Sequence, residues 1–279
     1  MLKIAVPNKG ALSETAAGML EEAGYHGRRD GKELIVSDPS NDVEFFYLRP
    51  RDIATYVGSG VIDVGITGRD LLLDSGSPAV EVQGLGFGRS TFRFAGPVGA
   101  FASQEQLSGV RIASSYTGLV RSWLDARGLD ATLVHLDGAV ESAVRLGVAD
   151  AIADVVETGA TLRKQGLETF GEPILSSEAV LISSGRASDG LHTLRRRLEG
   201  VLVARRYVMV DYDVRREDLD AAVRVCPGKE SATISPLRDD DWVAVRVMTE
   251  SHDVNRVMDD LEAAGAKAII VTRIHAARV

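Results

Sequence analysis

The sequence is poor in cysteine, in net positive charge and in long apolar runs, and each shortage excludes a class of protein. The single cysteine, Cys226, has no partner for an internal disulfide, so we expect a buried structural thiol and a reducing compartment. The formal net charge of -8 argues against nucleic acid or an anionic membrane as a partner, because both usually require a basic surface. Any polyanionic ligand must therefore be held by local charges.

Membrane and export signals are also missing. No run of about 18 apolar residues indicates a transmembrane helix. The opening "MLKIAVPNKG" begins a strand pattern without the charged segment, apolar segment and small-residue cleavage site of a secretion signal. We therefore expect a cytoplasmic protein. With 279 residues, 45% of them hydrophobic, the chain can form about two to three domains.

Short apolar strands alternate with amphipathic helices from the first residues onward. The stretch "KIAVPNKGALSETAAGMLEEAG" predicts a strand, a glycine-containing loop and a helix that ends at Gly24. The stretch "VEFFYLRPRDIATYVGSGVIDVGITGRDLLLDSG" adds a strand, a helix, a strand and a glycine turn that begins another helix. This alternation predicts an α/β fold with a largely parallel sheet.

The same order of elements recurs later in the chain. The stretch "RIASSYTGLVRSWLDARG" matches the first unit, with Gly118 in the place of Gly10, and "LVHLDGAVESAVRLGVADAIADVVETGATL" matches the second unit. We therefore expect two lobes of similar plan, with a ligand cleft between them at the carboxyl ends of their strands. Residues 84–99 would link the lobes, and a return strand from Glu178 would lead back into the first lobe. A basic helix or linker would follow over residues 189–206.

The last part of the chain has a different pattern. From Val208 onward, the order of apolar and amphipathic segments is β-α-β-β-α-β within about 70 residues, which is the ferredoxin-like order. We expect this segment to fold as a separate small domain that is large enough to be regulatory.

The stretch "DVVETGATL" predicts a strand followed by a turn that begins a helix. Backbone N–H groups in the first turn of a helix attract an anion, and the hydroxyls of Thr158 and Thr161 would add donors. Gly159 permits the tight turn. The pattern is therefore consistent with a monophosphate site. An ordinary N-cap, with Thr158 closing the start of the helix, explains the turn equally well.

Asp154 favours the binding site over the ordinary cap. It lies at the end of an apolar strand, where an unpaired carboxylate is costly. An acid just before a phosphate-binding turn is suited to a phosphorylated ribose, because its oxygens can accept hydrogen bonds from the sugar hydroxyls. Glu141 and Asp150 are further candidates, although Asp150 is better explained by pairing with a nearby N–H or arginine.

Three basic residues follow strands of the first lobe and are candidate cations for a phosphate-bearing ligand. Lys9 lies in "VPNKG", Arg49 in "LRPRD" and Arg69 in "TGRD". Each taken alone is consistent with a solvated surface charge. Their positions at strand ends favour a functional role for Lys9 and Arg49, whereas we interpret Arg69 as a surface charge.

The segment "DVVETGAT" resembles the phosphoribosyl diphosphate loop of phosphoribosyltransferases, in which acids precede a Thr-Gly-x-Thr turn. The common form of that loop has two adjacent acids, whereas this chain has Ala153 before Asp154. A wider ordered set resembles the long form of ATP phosphoribosyltransferase over nearly the whole chain. That set consists of "AVPNKGALSE", "LRPRDIATYV", "DVGITGRDLL", "GFGRSTFRFA", "LDGAVESAVRLGVADAIADVVETGATL" and the βαββαβ tail.

This resemblance implies a fold and an activity. The fold would be a two-lobed catalytic core similar to type II periplasmic binding proteins, plus a C-terminal ferredoxin-like regulatory domain. The implied boundaries are residues 1–90 for the first lobe, with a return segment at about 178–206, then 91–177 for the second lobe and 207–279 for the regulatory domain. The family transfers the 5-phosphoribosyl group of phosphoribosyl diphosphate to N1 of ATP and releases pyrophosphate, the first step of L-histidine biosynthesis. It uses Mg²⁺, is inhibited by histidine, and forms dimers that assemble into hexamers.

The resemblance also implies roles for individual residues in the catalytic core. The phosphoribosyl diphosphate site would comprise Asp154, Glu157, Thr158, Gly159, Ala160, Thr161 and Glu141. The nucleotide site would comprise Gly68, Asp70, Leu71, Ser90 and Tyr116. Asp70 would accept a hydrogen bond from the adenine amino group, and Tyr116 would stack on the base or simply pack between the lobes.

Other implied roles concern charge and regulation. Lys9 and Arg49 would neutralise pyrophosphate, and Mg²⁺ would arrive with the substrate, without a site made by protein ligands alone. This chain has Ala11 where the family usually has an arginine, so Lys9 with Arg49 or Arg93 would supply the missing charge. Asp213 and Thr233 would bind the inhibitor histidine.

The implied reaction requires no protein nucleophile, because adenine N1 attacks and pyrophosphate leaves. Positioning of two substrates can lower the barrier by roughly 7 to 11 kcal/mol, and cations near the leaving group would supply much of the rest. The alternatives are a two-lobed solute-binding protein and a sensor whose lobes have no transferase activity. A solute-binding protein would be expected to carry a secretion signal and to lack the phosphate loop.

Overall fold

The computed structural model describes residues 1–27, 33–156, 159–186 and 189–278. The chain divides into two compact units. One unit contains Met1–Glu21 and Tyr25–His192, and the other contains Glu22–Gly24 and the chain from Thr193 onward. The first unit holds two sheets and the second unit holds one.

The first sheet has six strands in the order β2-β3-β1-β4-β11-β5. The strands are β1 (Leu2–Pro7), β2 (Ile35–Asp38), β3 (Val43–Leu48), β4 (Val64–Gly68), β5 (Val80–Gly84) and β11 (Ala179–Ser183). Strands β3, β1 and β4 are parallel, whereas β11 pairs antiparallel with β4 and β5. The helices of this lobe are α1 (Ala11–Glu22), α2 (Pro50–Gly58) and α3 (Arg69–Asp74).

The second sheet has five strands in the order β10-β6-β9-β7-β8. These are β6 (Ser90–Pro97), β7 (Arg111–Ser114), β8 (Thr132–His135), β9 (Ala151–Val156) and β10 (Leu167–Ser177), with helices α4 (Thr117–Asp125) and α5 (Ala160–Lys164). Strand β7 is parallel to β8 and β9, and β6 is antiparallel to β9 and β10. Apolar clusters cover both faces, around Phe94 and Trp123 on one side and around Ile152 and Leu162 on the other.

The two sheets repeat one plan, which confirms the predicted two-lobed α/β fold. The order β3-β1-β4-β11 in the first sheet corresponds to β8-β7-β9-β6 in the second, with three parallel strands and one antiparallel strand in each. The return strand predicted from Glu178 is present as β11 in the first sheet.

One predicted helix is missing, so that prediction was wrong. The stretch after β8 forms only a short 3-10 helix at Val140–Ser142. Ala139 before it and Gly147 after it have positive φ, 48° and 71°, so the right-handed helical conformation is confined to the short segment between them.

The C-terminal sheet has the order β13-β14-β12-β15, and all of its strand pairs are antiparallel. The elements are α6 (Asp189–Arg206), β12 (Tyr207–Arg215), α7 (Leu219–Val225), β13 (Thr233–Pro236), β14 (Trp242–Glu250), α8 (Val254–Ala263) and β15 (Lys267–Arg273). From β12 onward this is the predicted βαββαβ order. Alternate residues of β12 are buried, which is expected where helices cover one face of a sheet. Among the described helices, none has the length and hydropathy that a membrane crossing requires.

Candidate active site

The turn between β9 and α5 forms one side of a cavity of about 340 Å³. Gly159 has a φ of 68°, a left-handed conformation that costs glycine little because it has no Cβ. Every predicted phosphoribosyl residue that the structure describes lines this cavity: Glu141, Asp154, Gly159, Ala160 and Thr161. The predicted residues Glu157 and Thr158 lie outside the described residues.

Asp154 is a half-buried carboxylate beside this cavity. Burial raises its pKa, the N–H of Val155 that its Oδ1 accepts at 2.8 Å opposes the rise, and the charges of Glu141 and Asp70 increase it. Within residues 1–27, 33–156, 159–186 and 189–278, no basic side chain forms an ion pair with Asp154. The carboxylate is therefore desolvated without a protein cation to compensate, which is costly unless a ligand supplies the partner.

Arg93 lies directly opposite Asp154 in the antiparallel register of β6 and β9. Opposed residues in such a pair project from the same face of the sheet, so both side chains lie on the face that carries α5. The guanidinium donates to the carbonyl of Gly171 at 2.8 Å, and its buried Nε has no hydrogen-bond partner among the described residues. Arg93 is thus a cation with an unused donor on the same face as the phosphoribosyl turn.

The corresponding turn of the first lobe contains the predicted nucleotide residues Gly68, Asp70 and Leu71. The Asp70 side chain is only 7% exposed. Its Oδ1 accepts hydrogen bonds from the hydroxyl of Ser177 at 3.0 Å and from the N–H of Leu71 at 3.0 Å, and its own N–H donates to the Ser177 oxygen at 3.1 Å. A Cβ on Gly68 would collide with Oδ1 of Asp70, so a larger residue there would displace the Asp70 carboxylate from its present position.

Ser177 was missed in the sequence analysis. It lies 107 residues from Asp70, at the end of β10, and fixes the Asp70 carboxylate from there. A partner so distant along the chain leaves no local pattern, and the only hint in the sequence is the polar segment "SSE" just before the return strand.

Tyr116 occupies the N-cap position of α4 and is half-buried. Its ring makes an edge contact with Phe92, with the centroids 5.1 Å apart, and the guanidinium of Arg51 lies 4.9 Å from the ring centroid. Burial raises the pKa of the Tyr116 hydroxyl, the charge of Asp70 raises it further, Arg51 opposes this, and Asp154 adds to it. Tyr116 therefore lies within electrostatic range of the acids of both candidate subsites.

The predicted cations have different surroundings. Lys9, after β1, and Arg49, just before α2, are exposed. Arg69 was interpreted as a solvated surface charge, and that interpretation was wrong: it pairs with Glu81 at 2.7 Å and with Glu178 at 3.2 Å, and these acids raise its pKa. Arg69 therefore forms structural ion pairs that hold the start of α3 to the segments that contain Glu81 and Glu178.

The predicted nucleotide residue Ser90 lies in a second cavity, of about 540 Å³, between the ends of β6 and β10. Its lining includes Ser177, which holds Asp70, and Val156, which also lines the phosphoribosyl cavity. The exposed Arg89 contributes a further basic side chain that the sequence analysis did not select. Val156 lines both cavities and Ser177 connects the second cavity to Asp70, so the two predicted subsites are adjacent.

Asp150 is paired as expected and does not belong to either cavity. Its Oδ1 lies 2.7 Å from the guanidinium of Arg111, and its Oδ2 accepts the Arg111 N–H at 3.0 Å. These bonds lower the pKa of the Asp150 carboxyl. Asp150 therefore fixes the start of β9 against β7.

Asp213 and Thr233, the predicted histidine residues, lie on the same face of the C-terminal sheet. The register places Asp213 and Ser235 on either side of Ala244, and Asp211 and Thr233 on either side of Arg246. This face is opposite the one where Val210 and Tyr212 are buried. The Arg246 guanidinium bonds Asp211 at 2.6 Å, so the face combines acidic, basic and hydroxyl groups.

Oxygen donors suited to Mg²⁺ are present at the phosphoribosyl cavity. Mg²⁺ binds oxygen ligands and commonly uses one or two carboxylates together with substrate phosphates. Asp154 and Glu141 both line the cavity, and their mutual repulsion contributes to the raised pKa of Asp154. These residues fit a cation that is shared with a phosphorylated substrate. In the described part of the chain, the one group of three potential ligands whose ligand atoms lie within 4.8 Å of one another is Glu250, His252 and Asp253, where Glu250 is already paired with Arg206.

Comparison with known proteins identifies the family. The family model described as ATP phosphoribosyltransferase matches residues 49–200, and the one described as HisG, C-terminal domain, matches residues 204–276. The ATP phosphoribosyltransferases of Pseudarthrobacter chlorophenolicus and Micrococcus luteus are each 62% identical to this chain, and both matches cover 100% of both proteins. That of Streptomyces avermitilis is 59% identical with the same coverage.

A solved structure of the ATP phosphoribosyl transferase (HisG:HisZ) complex from Thermotoga maritima has a chain with 26% sequence identity and a TM-score of 0.63. The match covers 72% of this chain and 98% of that one. Sequence and structure agree with the resemblance drawn from the motifs, and the chain belongs to the ATP phosphoribosyltransferase family.

Proposed function

We propose that this protein transfers the 5-phosphoribosyl group of phosphoribosyl diphosphate to N1 of ATP and releases pyrophosphate, as the first step of L-histidine biosynthesis. Membership of the family supports the reaction. The observation in the structure that carries the proposal is Asp154, a desolvated carboxylate beside the cavity next to the Gly159 turn, for which the described residues supply no ion-pair partner. A phosphorylated sugar would provide both the hydroxyl donors for Asp154 and the anion for the turn.

The phosphoribosyl group would bind in the cavity of the second lobe. Asp154 would accept hydrogen bonds from the ribose hydroxyls, and Thr161 would donate its hydroxyl to the 5-phosphate. Gly159 and Ala160 would bring the backbone close to the phosphate, and Glu157 and Thr158 would complete the turn. Glu141, which also lines the cavity, would contribute an oxygen to a shared cation.

The nucleotide would bind against the first lobe. Gly68 and Leu71 would form the surface beneath the base, and Asp70 would accept a hydrogen bond from the adenine amino group. Ser177 supports this role because it fixes the orientation of the Asp70 carboxylate before any ligand binds. Tyr116 would cover the base, and Ser90 would bond the phosphates from the adjacent cavity.

The reaction forms a bond between adenine N1 and C1′ of the ribose while the bond from C1′ to the pyrophosphate oxygen breaks. The protein would hold N1 and C1′ in line, which is the main source of acceleration in such a transfer. Lys9, Arg49 and Arg93 would stabilise the negative charge that develops on the leaving pyrophosphate. Mg²⁺, when bound with the substrate, would neutralise part of the same charge.

Regulation and assembly are further parts of the proposal. Histidine would inhibit the enzyme by binding Asp213 and Thr233 on the open face of the C-terminal sheet, where carboxylate, guanidinium and hydroxyl groups match an amino acid. The protein would act in the cytoplasm as a homo-oligomer, from a dimer to a hexamer. Removing residues from Asp211 onward should abolish inhibition by histidine, and inhibition that persists would place the effector site elsewhere.

The deciding experiment mixes the protein with ATP, phosphoribosyl diphosphate and Mg²⁺ and measures pyrophosphate release. We expect turnover that requires both substrates. If calorimetry detects binding of both substrates but no pyrophosphate forms, the protein is instead a two-lobed binding or sensor protein without transferase activity.

A further inference from the structure

Asp74, the last residue of α3, joins the two lobes of the first unit through the start of α4. Its Oδ1 accepts hydrogen bonds from the backbone N–H groups of Gly118 at 2.9 Å and Leu119 at 3.1 Å. The contact therefore extends from the end of a helix in one lobe to the first turn of a helix in the other.

Helix α4 depends on this contact for its cap. The first N–H groups of a helix have no partner within the helix, and a side chain at the N-cap position usually supplies one. The N-cap residue of α4 is Tyr116, which has a φ of −119° and a ψ of 57°. Its side chain makes no capping hydrogen bond. Asp74 supplies the missing acceptor from the other lobe, and its negative charge also interacts favourably with the helix dipole.

Gly118 allows the close approach that this cap requires. A Cβ on Gly118 would collide with the backbone oxygen of Asp74, a group that cannot move aside as a flexible side chain could. The φ of Gly118 lies outside the left-handed region, so its conformation alone does not require glycine. The glycine is therefore explained by the contact between the lobes.

Arg51 links the same contact to Tyr116. Its Nη1 lies 2.8 Å from Oδ2 of Asp74, whose side chain is only 10% exposed, and its guanidinium lies over the Tyr116 ring. Both oxygens of the Asp74 carboxylate are thus engaged, one by a helix of the second lobe and one by a cation of the first.

We propose that Asp74, Arg51 and Gly118 form an interlobe clasp that sets the separation of the Asp70 and Asp154 loops, with Asp74 as a positioning residue for the transfer reaction. This inference rests on the proposed function, because it assumes that the substrates bind between the lobes. Tyr116 adjoins this clasp, which would hold the Tyr116 ring over the nucleotide.

Steady-state kinetics test the clasp through two variants that break it differently. Asp74→Ala removes the acceptor, whereas Gly118→Ala keeps it and inserts a methyl group between the lobes. We expect each to lower kcat/KM for ATP about five- to thirtyfold, mostly through kcat, because lobes that are no longer held at the right separation align the two substrates less well for the transfer. Asp125→Ala, at the other end of α4, should retain wild-type values because the ion pair that the structure describes for Asp125 is with Arg121 of the same lobe.

Thermal unfolding separates positioning from simple destabilisation. Alanine is a better helix former than glycine, so Gly118→Ala should stabilise α4 itself. The proposal expects an impaired enzyme whose Tm is not lowered by more than about 2 °C. Wild-type kcat and KM in Gly118→Ala would overturn the proposal, and this variant remains informative if Asp74→Ala does not fold.

A distance measurement tests the clasp without relying on turnover. Spin labels would be placed at Tyr56→Cys in the first lobe and Leu146→Cys in the second, both exposed positions, in a Cys226→Ala background. Double electron–electron resonance should show a longer and broader distance distribution in Asp74→Ala and Gly118→Ala than in the parent and in Asp125→Ala. Distributions identical to the parent would overturn the clasp even if the enzyme is active. If the wild-type enzyme shows no turnover but the distributions shift as expected, the proposed function fails and the clasp stands.

Discussion

Asp70 in the first lobe and Asp154 in the second lie near the ends of corresponding strands, but their carboxylates have different partners. Asp70 is buried, and Oδ1 of its carboxylate accepts hydrogen bonds from the Ser177 hydroxyl and the Leu71 N–H. The Asp154 carboxylate is half-buried, and the only hydrogen bond that the structure describes for it comes from the neighbouring N–H of Val155. Among the described residues, the protein therefore satisfies the Asp70 carboxylate but supplies no cation for the Asp154 carboxylate.

This contrast separates two ways of building a binding site. Asp70 is an oriented acceptor whose position is fixed by distant parts of the chain, so it can select a base by geometry. Asp154 has a raised pKa because burial and nearby acids disfavour its ionised form. Its cost to stability is recovered only when a substrate provides donors and positive charge, as is common at functional sites.

The largest expected effect is on catalysis by variants of the phosphoribosyl cavity. Asp154→Ala and Thr161→Val should each raise KM for phosphoribosyl diphosphate or lower kcat by about tenfold or more, because each removes a bond to the bound substrate. Pyrophosphate release at varied substrate concentration measures this. Wild-type kinetics in both variants would show that the turn is only a helix cap.

Asp70, whose carboxylate already has hydrogen-bond partners in the protein, should contribute to the free energy of unfolding. Asp70→Ala should lower the free energy of unfolding by about 1–3 kcal/mol, because the Ser177 hydroxyl and the Leu71 N–H lose a buried acceptor. Chemical denaturation measures the change, and Asp125→Ala, which removes an exposed carboxylate, serves as the control with an expected effect below about 1 kcal/mol. A loss in Asp70→Ala no larger than that in Asp125→Ala would show that the hydrogen bonds of the Asp70 carboxylate do not stabilise the fold.

Ser177→Ala sharpens the same comparison with a smaller change. The Asp70 carboxylate would keep its bond from the Leu71 N–H but lose the Ser177 hydroxyl, for an expected loss of about 1 kcal/mol in unfolding free energy. KM for ATP should rise while KM for phosphoribosyl diphosphate stays within about twofold. A rise in KM for phosphoribosyl diphosphate alone would show that the Asp70 turn binds that substrate and not ATP.

The smallest effect concerns pH. The folded-state pKa of Asp154 is raised above its unfolded value, so the ionised carboxylate destabilises the fold at pH 7, and this cost disappears as the pH falls through the raised pKa. Asp154→Asn should therefore be at least as stable as the wild type at pH 7, by up to about 1 kcal/mol, with the difference shrinking towards about pH 4. Urea denaturation across this range measures it, and a pH-independent difference would indicate a packing effect instead.

The repeated strands and glycine turns allowed much of the fold to be predicted from the sequence. Gly10 and Gly118 mark corresponding positions after strands β1 and β7, and both sheets have the same order of parallel strands. The helix expected after β8 is absent because the positive φ values at Ala139 and Gly147 confine the helical conformation to the short segment between them. Local periodicity predicts elements well where no such backbone constraint intervenes.

The candidate site was predicted where its residues are adjacent in sequence and missed where they are not. The turn at Gly159 could be identified from a short motif. Ser177 could not be identified in this way, because its partner Asp70 is 107 residues away. Asp74 could not be identified either, because the helix start that it caps lies 44 residues further along the chain. Arg69 was misinterpreted for the same reason, since Glu178 comes from the distant return segment. These contacts depend on how the lobes are assembled, which no single segment encodes.

The most direct test of the difference between the two acids is calorimetric titration of phosphoribosyl diphosphate with Mg²⁺ into the wild type, Asp154→Asn and Asp70→Asn at pH 7. We expect Asp154→Asn to bind about tenfold or more weakly and Asp70→Asn to bind within about threefold of the wild type. Equal affinity in the wild type and Asp154→Asn would contradict the account, because it would mean that the unsatisfied carboxylate does not contact the substrate.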